Sequence, residues 1–284
     1  MAELKMEVDG FFASFISLLQ GGVPINTVID IGSADGQFGL GCLFFKRSLK
    51  VLNIDANEMF EPSLKEIEDE LGVPYRIIAL SANPGKLTMH NVPHNLYGFQ
   101  VSKKRISEPE GDSIRKKYID CVTLDDLLNE YELPEPYFIK MDVENNEFNV
   151  LQGASKTLLK TAAILIEQHV GPGKKNGDFL DKSTYLARRD FSLFDLREIS
   201  YEKRNLNLNA VNIKVENDSN PKILSTFHPI FINEKFDFRH KANQTANPQQ
   251  EEHNSNFMRQ RLDNRRLRVI ESNRKLLDQL KTNE

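Results

Sequence analysis

One segment constrains this chain more than any other: Val28-Ile29-Asp30-Ile31-Gly32-Ser33-Ala34-Asp35-Gly36, a β-type apolar run that ends in an acid and a glycine-spaced turn. Glycines permit a sharp turn and let a ligand approach the backbone closely. The apolar, small-residue stretch from Phe38 to Phe45 is expected to be a helix. A helix starting there offers unpaired N–H groups to an anion. Strand, glycine turn and helix form the ligand-binding corner of an open α/β sheet. Farther on, Val51-Leu52-Asn53-Ile54-Asp55 reads as a second strand ending in an acid, where a ribose diol is held in such folds. The spacing Gly32-x-x-x-Gly36, then Gly39, is not the G-x-G-x-x-G of dinucleotide sites. Asp30 inside the strand end suits a ligand with a cationic or amine-bearing end better than a nicotinamide.

Further strands recur at α/β spacing: Tyr75–Leu80, Tyr137–Met141 and Ala163–Glu167, after Thr27–Ile31 and Lys50–Ile54. Helices are expected over Gly39–Phe45, Pro62–Leu71, Leu124–Glu130 and Glu147–Leu159. Continuous apolar strands alternating with helices predict a mostly parallel sheet covered on both faces. Phe191–Leu196 and His228–Asn233 are expected to add an antiparallel hairpin at its edge. Pro84 to Tyr118 is rich in Asn, Pro, His, Gly, Ser and Lys and reads as a long loop with at most a short strand.

Leu4 to Leu19 reads as an amphipathic helix stopped by Gly21-Gly22 and packed on the domain. Its apolar part is too short to span a bilayer, and its flank is acidic, unlike a signal peptide. Cys42 and Cys121 make no disulfide or zinc framework, which fits a cytoplasmic protein. The net charge of −4 gives no general pull toward nucleic acid or anionic lipid. The predicted organisation is residues 1–22 as an N-terminal helix, 23–240 as the main domain, and 241–284 as a polar linker and a basic helix. In the tail, Leu262, Val269 and Leu276 recur every seven residues, so 257–280 is a candidate for self-association or a partner contact.

A second constellation lies at the carboxyl ends of two later strands. Phe138-Ile139-Lys140-Met141 delivers Asp142 and Glu144, with Glu147 opening the next helix. Ile164-Leu165-Ile166 ends in Glu167, Gln168 and His169. Strand carboxyl ends are where open α/β sheets bind ligands, and buried carboxylates need partners or a task. Glu147 at a helix start also has a plain reading as a dipole-stabilising acid.

Taken in order, these segments resemble the FkbM-type family of S-adenosylmethionine-dependent methyltransferases. The resemblance covers Val28 to Lys235. It rests on Ile29-Asp30-Ile31-Gly32 with Gly36, Asp55, Ala79-Leu80-Ser81 with Gly85, and Val122-Thr123-Leu124-Asp125-Asp126-Leu127-Leu128. It continues through Ile139-Lys140-Met141-Asp142-Val143-Glu144 with Glu147, Val150-Leu151 and Gly153-Ala154, and ends at Glu167. Ala34 stands where the family usually has Asn, Asn145 where it usually has Gly, and Asp55 where it often has Glu. The resemblance implies a Rossmann-like class I methyltransferase fold, with a seven-stranded mostly parallel sheet and an antiparallel edge hairpin.

It also implies roles. Asp30, Gly32, Ser33, Ala34 and Gly36 would serve the methionine part of S-adenosylmethionine. Asp55 with Ala56 would serve the ribose, and Leu80, Ser81 and Ala82 the adenine, with Asp142 beside them. The implied acceptor is a hydroxyl, most often of a carbohydrate in a glycan or glycosylated metabolite. Asp142, Glu144, Glu167 and His169 are the catalytic candidates, with His169, Asp142 or Glu144 as base. No metal is assigned, although the same four residues offer an alternative as a divalent-cation site. Asn145, Asn146 and Gln168, and the loop residues His90, Asn91, His94, Asn95 and Tyr97, suit a hydroxyl-rich acceptor. In the absence of Trp, Tyr97, Phe99 or Tyr137 would stack on it. The alternative is a non-catalytic nucleotide-binding scaffold with the same fold.

Overall fold

The computed structural model describes residues 10–91, 99–102, 116–144, 146–169, 178–203 and 222–236. Five parallel strands form its centre: β1 (Thr27–Ile31), β2 (Lys50–Asp55), β3 (Tyr75–Ile77), β8 (Tyr137–Met141) and β9 (Thr161–Ile166). They lie in the order β3-β2-β1-β8-β9. Every residue of β1, β8 and β9 is buried, as expected of parallel strands covered on both faces. The long β12 (Lys222–Asn233) runs antiparallel to β9, and β11 (Phe191–Lys203) pairs with its other side. The predicted edge hairpin is therefore present, with both strands longer than expected.

The two-residue strand β10 (Gln168–His169) continues β9 along the same flank of β12. Leu165 pairs with Ile230, and Gln168 with Phe227. The sheet thus keeps seven lanes, and Glu167 interrupts one of them.

Helix α1 (Gly10–Gln20) packs by aromatic contact, with Phe12 stacked on Phe38 and Phe15 on Phe138. Helices α2 (Gln37–Phe45) and α3 (Glu61–Leu71) follow β1 and β2. Thr123 caps α4 (Leu124–Leu128) by accepting from the Asp126 amide. Asp125 accepts from the amides of Lys156 and Thr157, which accounts for the Thr-Leu-Asp-Asp pattern by local hydrogen bonding. Among the described residues, no helix is long and apolar enough to cross a membrane.

Three expectations need correction. The strand expected over Tyr75–Leu80 is two strands. After Ile78 donates to the Asp55 carbonyl, the end of β2 offers no further partner, and β4 (Ala79–Leu80) pairs with β7 (Lys116–Val122) instead. The segment read as a loop contains β5 (Gly85–Asn91), β6 (Phe99–Ser102) and β7, which join β4 in a second sheet of order β4-β7-β5-β6. Among the described side chains its own buried apolar cluster is Ala79, Leu87 and Cys121, too small to announce strands from composition. Helix α5 (Glu147–Gln152) is half the length expected; a 3-10 turn over Thr157–Lys160 replaces its second half. What the sequence predicts for residues 1–9, 92–98, 103–115 and 237–284, including the tail helix, lies outside the described residues.

Candidate active site

Strand order reverses between β1 and β8, and open α/β sheets bind ligands beyond the carboxyl ends of strands at such a point. A cleft opens there, lined by Gly32, Ala34, Asp55, Ala56, Leu80, Asp142 and Glu144 among others. The turn after β1 is built by close backbone approach. Gly32 has φ 73°, and a Cβ on it would stand 1.8 Å from the Asp142 carbonyl oxygen. The tight contact is thus with the chain's own β8 segment. The amides of Gly32 and Ser33 both donate to the Ile54 carbonyl.

Asp55 is oriented by two backbone donors. Its Oδ2 accepts from the Ala34 amide at 2.8 Å and its Oδ1 from the Asn57 amide at 2.8 Å. Burial pushes the carboxyl up to about 6, against the pull of those two amides and of Lys140. Ala34 has φ 48°, a left-handed conformation that costs an alanine more than an asparagine.

Asp30 does not face the cleft. It is fully buried and pairs with Lys140, whose Nζ lies 3.3 Å from Asp30 Oδ1 and 3.6 Å from Asp142 Oδ2. The cation anticipated for Asp30 therefore comes from the next strand. Ser33, Gly36, Ser81 and Ala82 do not line the cleft either. Gly36 (φ 79°) caps α2, and a Cβ there would press on Ile67.

The acids of β8 and β9 do come together with the imidazole. His169 Nε2 lies 3.0 Å from Glu167 Oε2 and 3.7 Å from Glu144 Oε2. Ligating atoms of Glu144, Glu167 and His169 all fall within 4.8 Å of one another. That spacing admits an imidazole held between two carboxylates or a divalent cation shared by the three. Glu167 also hydrogen-bonds Asp142. Burial raises Glu167 to about 7; His169 opposes that rise and Asp142 adds to it. Burial would raise Asp142 as well, but Lys140 and the bond from Glu167 outweigh it and hold Asp142 below the usual carboxylate range. Glu144 has φ 52°, turning its side chain to the cleft rim through a backbone state rare for Glu.

Other expected acceptor groups are bonded within the protein, Asn146 among them although it lines the cleft. Gln168 is buried and bonded within the protein. Asn146 donates to the Leu80 carbonyl at 2.7 Å. Tyr137 is buried at the opposite end of β8, with its hydroxyl on the Leu133 carbonyl. Side chains of His90, Asn91 and Phe99, and residues Asn145, His94, Asn95 and Tyr97, are outside what the structure describes.

Three buried residues escaped the sequence reading: Lys140, Lys182 and His228. Lys140 carried a usable signal, since a lysine inside Tyr-Phe-Ile-Lys-Met needs a buried acid. Its Nζ also donates to the Gly32 carbonyl. Burial works against this ammonium, but Asp30, Asp142 and Asp55 outweigh it and raise it above its ordinary value. Buried His228 on β12 lies near enough to act on the charge of Asp142.

A sheet with this order and a carboxylate-bearing cleft at its reversal defines an α/β protein that binds a nucleoside-type ligand. The Methyltransferase FkbM domain matches residues 30–193, more than half of the chain. The chain belongs to the FkbM methyltransferase family and is an S-adenosylmethionine-dependent methyltransferase.

Solved structures with a similar course of chain are remote. Precorrin-6y C5,15-methyltransferase from Geobacter metallireducens is 8% identical with a TM-score of 0.38, over 78% of this chain and 87% of that one. An O-methyltransferase from Bacillus cereus in complex with S-adenosylhomocysteine is 12% identical with a TM-score of 0.39, over 82% and 84%. TrmK from M. capricolum, also with S-adenosylhomocysteine, is 10% identical with a TM-score of 0.39, over 83% and 73%. No curated protein matches the chain significantly.

Proposed function

We propose that the chain transfers the methyl group of S-adenosylmethionine to a hydroxyl oxygen, most simply of a carbohydrate. The observation that carries this reading is the meeting of His169 with Glu167 and Glu144, of which Glu144 lines the cleft that also holds Asp55. Asp55, already aimed by two amides, accepts from the ribose hydroxyls. The Gly32–Ala34 turn holds the methionine part and Leu80 flanks the adenine.

Transfer is a direct displacement. The acceptor oxygen forms a bond to the methyl carbon as the carbon–sulfur bond breaks, and the sulfur leaves as neutral S-adenosylhomocysteine. The hydroxyl proton passes to the His169 imidazole on the nitrogen that does not face the carboxylates, and Glu144 and Glu167, which stand against Nε2, stabilise the imidazolium. Alignment of oxygen, carbon and sulfur is worth ~7–11 kcal/mol in well-oriented systems, and a positioned base adds ~10²–10⁴ in rate. A hydroxyl-rich acceptor matches the carboxylates at the rim, and the resemblance of the chain points the same way.

The test has two stages. Calorimetry should show micromolar binding of S-adenosylhomocysteine, lost in Asp55→Ala and absent for NAD. A panel of glycosides should then contain an acceptor whose methylation is insensitive to EDTA. Loss of turnover in EDTA, restored by Mg²⁺, would transfer the roles of Glu144, Glu167 and His169 to a bound cation. Absence of donor binding in folded protein would leave the scaffold alternative.

A further inference from the structure

Outside the cleft, the described residues contain a buried charged cluster that the proposed reaction does not use. Lys182 of α6 (Phe179–Ala187) is 3% exposed, and Glu147 at the start of α5 is 2% exposed. Lys182 Nζ lies 3.0 Å from Glu147 Oε2 and 3.0 Å from Gln168 Oε1. Gln168 Nε2 in turn donates to the carbonyl of His169 at 2.7 Å.

One ammonium is therefore fastened to two pieces of chain. The first is the entry to α5, directly after the segment that carries Asp142 and Glu144. The second is β10, which carries His169. A buried ion pair is a costly way to hold two segments together, since a well-packed apolar pair is often as stable. It does, however, fix where the segments stand, because ammonium and amide hydrogen bonds are directional.

We infer that Lys182 is a positioning residue, which sets the place of His169 relative to Glu144 and Glu167 by clamping β10 to the start of α5. The inference rests on the reading of His169 as the acceptor-facing base. Its geometry agrees. β10 is only two residues long and has ladder partners on β12 alone, Phe227 and Thr226. Glu147 sits three residues beyond Glu144, so the clamp reaches both members of the 3.7 Å pair.

The test uses the full-length protein. Lys182→Met alone removes the ammonium facing the buried Glu147 carboxylate and invites unfolding, so the working variant is Lys182→Met with Glu147→Gln, which removes both charges. Lys182→Arg is the conservative companion. Long-range ¹H–¹⁵N spectra of His169 at fixed pH report where Nε2 sits relative to its carboxylates. The double variant should fold and bind S-adenosylhomocysteine within about threefold of wild type, while the His169 Nε2 resonance moves. Lys182→Arg should keep the resonance near its wild-type position.

An unmoved Nε2 resonance in the folded double variant overturns the inference, as does an equal displacement in Lys182→Arg. Failure of all forms, wild type included, to bind S-adenosylhomocysteine counts against the methyl-transfer reading and leaves the spectroscopic result to decide the clamp.

Discussion

The ammonium of Lys140 stands 2.7 Å from the carbonyl oxygen of Gly32, so the strand on one side of the reversal closes the turn on the other. The same ammonium neutralises Asp30 and Asp142. One buried cation thus ties the Gly32 turn at the cleft to Asp142 across the reversal.

Removing that cation leaves Asp30 buried without compensation. Lys140→Met should destabilise the fold by about 3–5 kcal/mol, the usual consequence of breaking a buried pair from one side. Adding Asp30→Asn should recover much of the loss. Urea denaturation of the two variants checks this, and equal destabilisation in both would refute it.

Asp55 makes a pH prediction with a definite sign. Its folded pKa of about 6 lies above the ordinary 3.8. The stability it contributes is therefore complete below pH ~4, falls as pH rises, and is lost above about 6. The difference amounts to about 3 kcal/mol at neutral pH, as an order of magnitude. The free protein should accordingly lose stability as pH rises from 4 to 8, and Asp55→Asn, which faces one of the two amides with a donor, should flatten that dependence at some cost in stability, as thermal melts across this range would show.

On the proposed role of Asp55, the ionised form is the one that accepts from the ribose. Donor affinity should then be flat above pH 7 and weaken about tenfold per unit below 6. Calorimetric titrations with S-adenosylhomocysteine from pH 5 to 8 measure it, and a flat profile would remove Asp55 from the donor site.

Ala34 occupies a left-handed backbone state in which alanine is strained. Ala34→Asn or Ala34→Gly should stabilise the protein by about 1 kcal/mol while keeping the amide that Asp55 uses. Unchanged or lowered melting temperatures in both would show that the turn relaxes around the alanine.

His169→Ala and Glu167→Gln should separate binding from chemistry. Transfer to a glycoside acceptor should drop by about 10²–10⁴ with His169→Ala. Glu167→Gln should cost less, and both should bind S-adenosylhomocysteine normally. Normal turnover in His169→Ala would place the base elsewhere.

The central sheet was legible because four of its five parallel strands are short apolar runs with an acid at or beside the end: Ile31 next to Asp30, Ile54 before Asp55, Met141 before Asp142 and Ile166 before Glu167. The meeting of His169 with Glu167 was legible for the same reason. Less could be read where partners lie far apart in sequence. Nothing local to Gly85–Asn91 announces that it pairs with Lys116–Val122. Asp30 looked like a ligand group because its partner Lys140 is over a hundred residues away, and Gln168 looked like an acceptor group because Lys182 sits on a later helix. Residue types told which groups must be satisfied, while long-range register decided by what.

The interruption of one lane at Glu167 has a consequence for how such an enzyme diversifies. The groups proposed for the donor belong to the first half of the fold, on β1 and β2 and just beyond them. The imidazole rides on β10, held by β12, with α6 and β11 between them in the chain. On the proposed assignment, changes within the later stretch would reshape what is methylated while leaving the methyl source alone. Transplanting residues 168–233 from another family member is the natural route to a new acceptor preference.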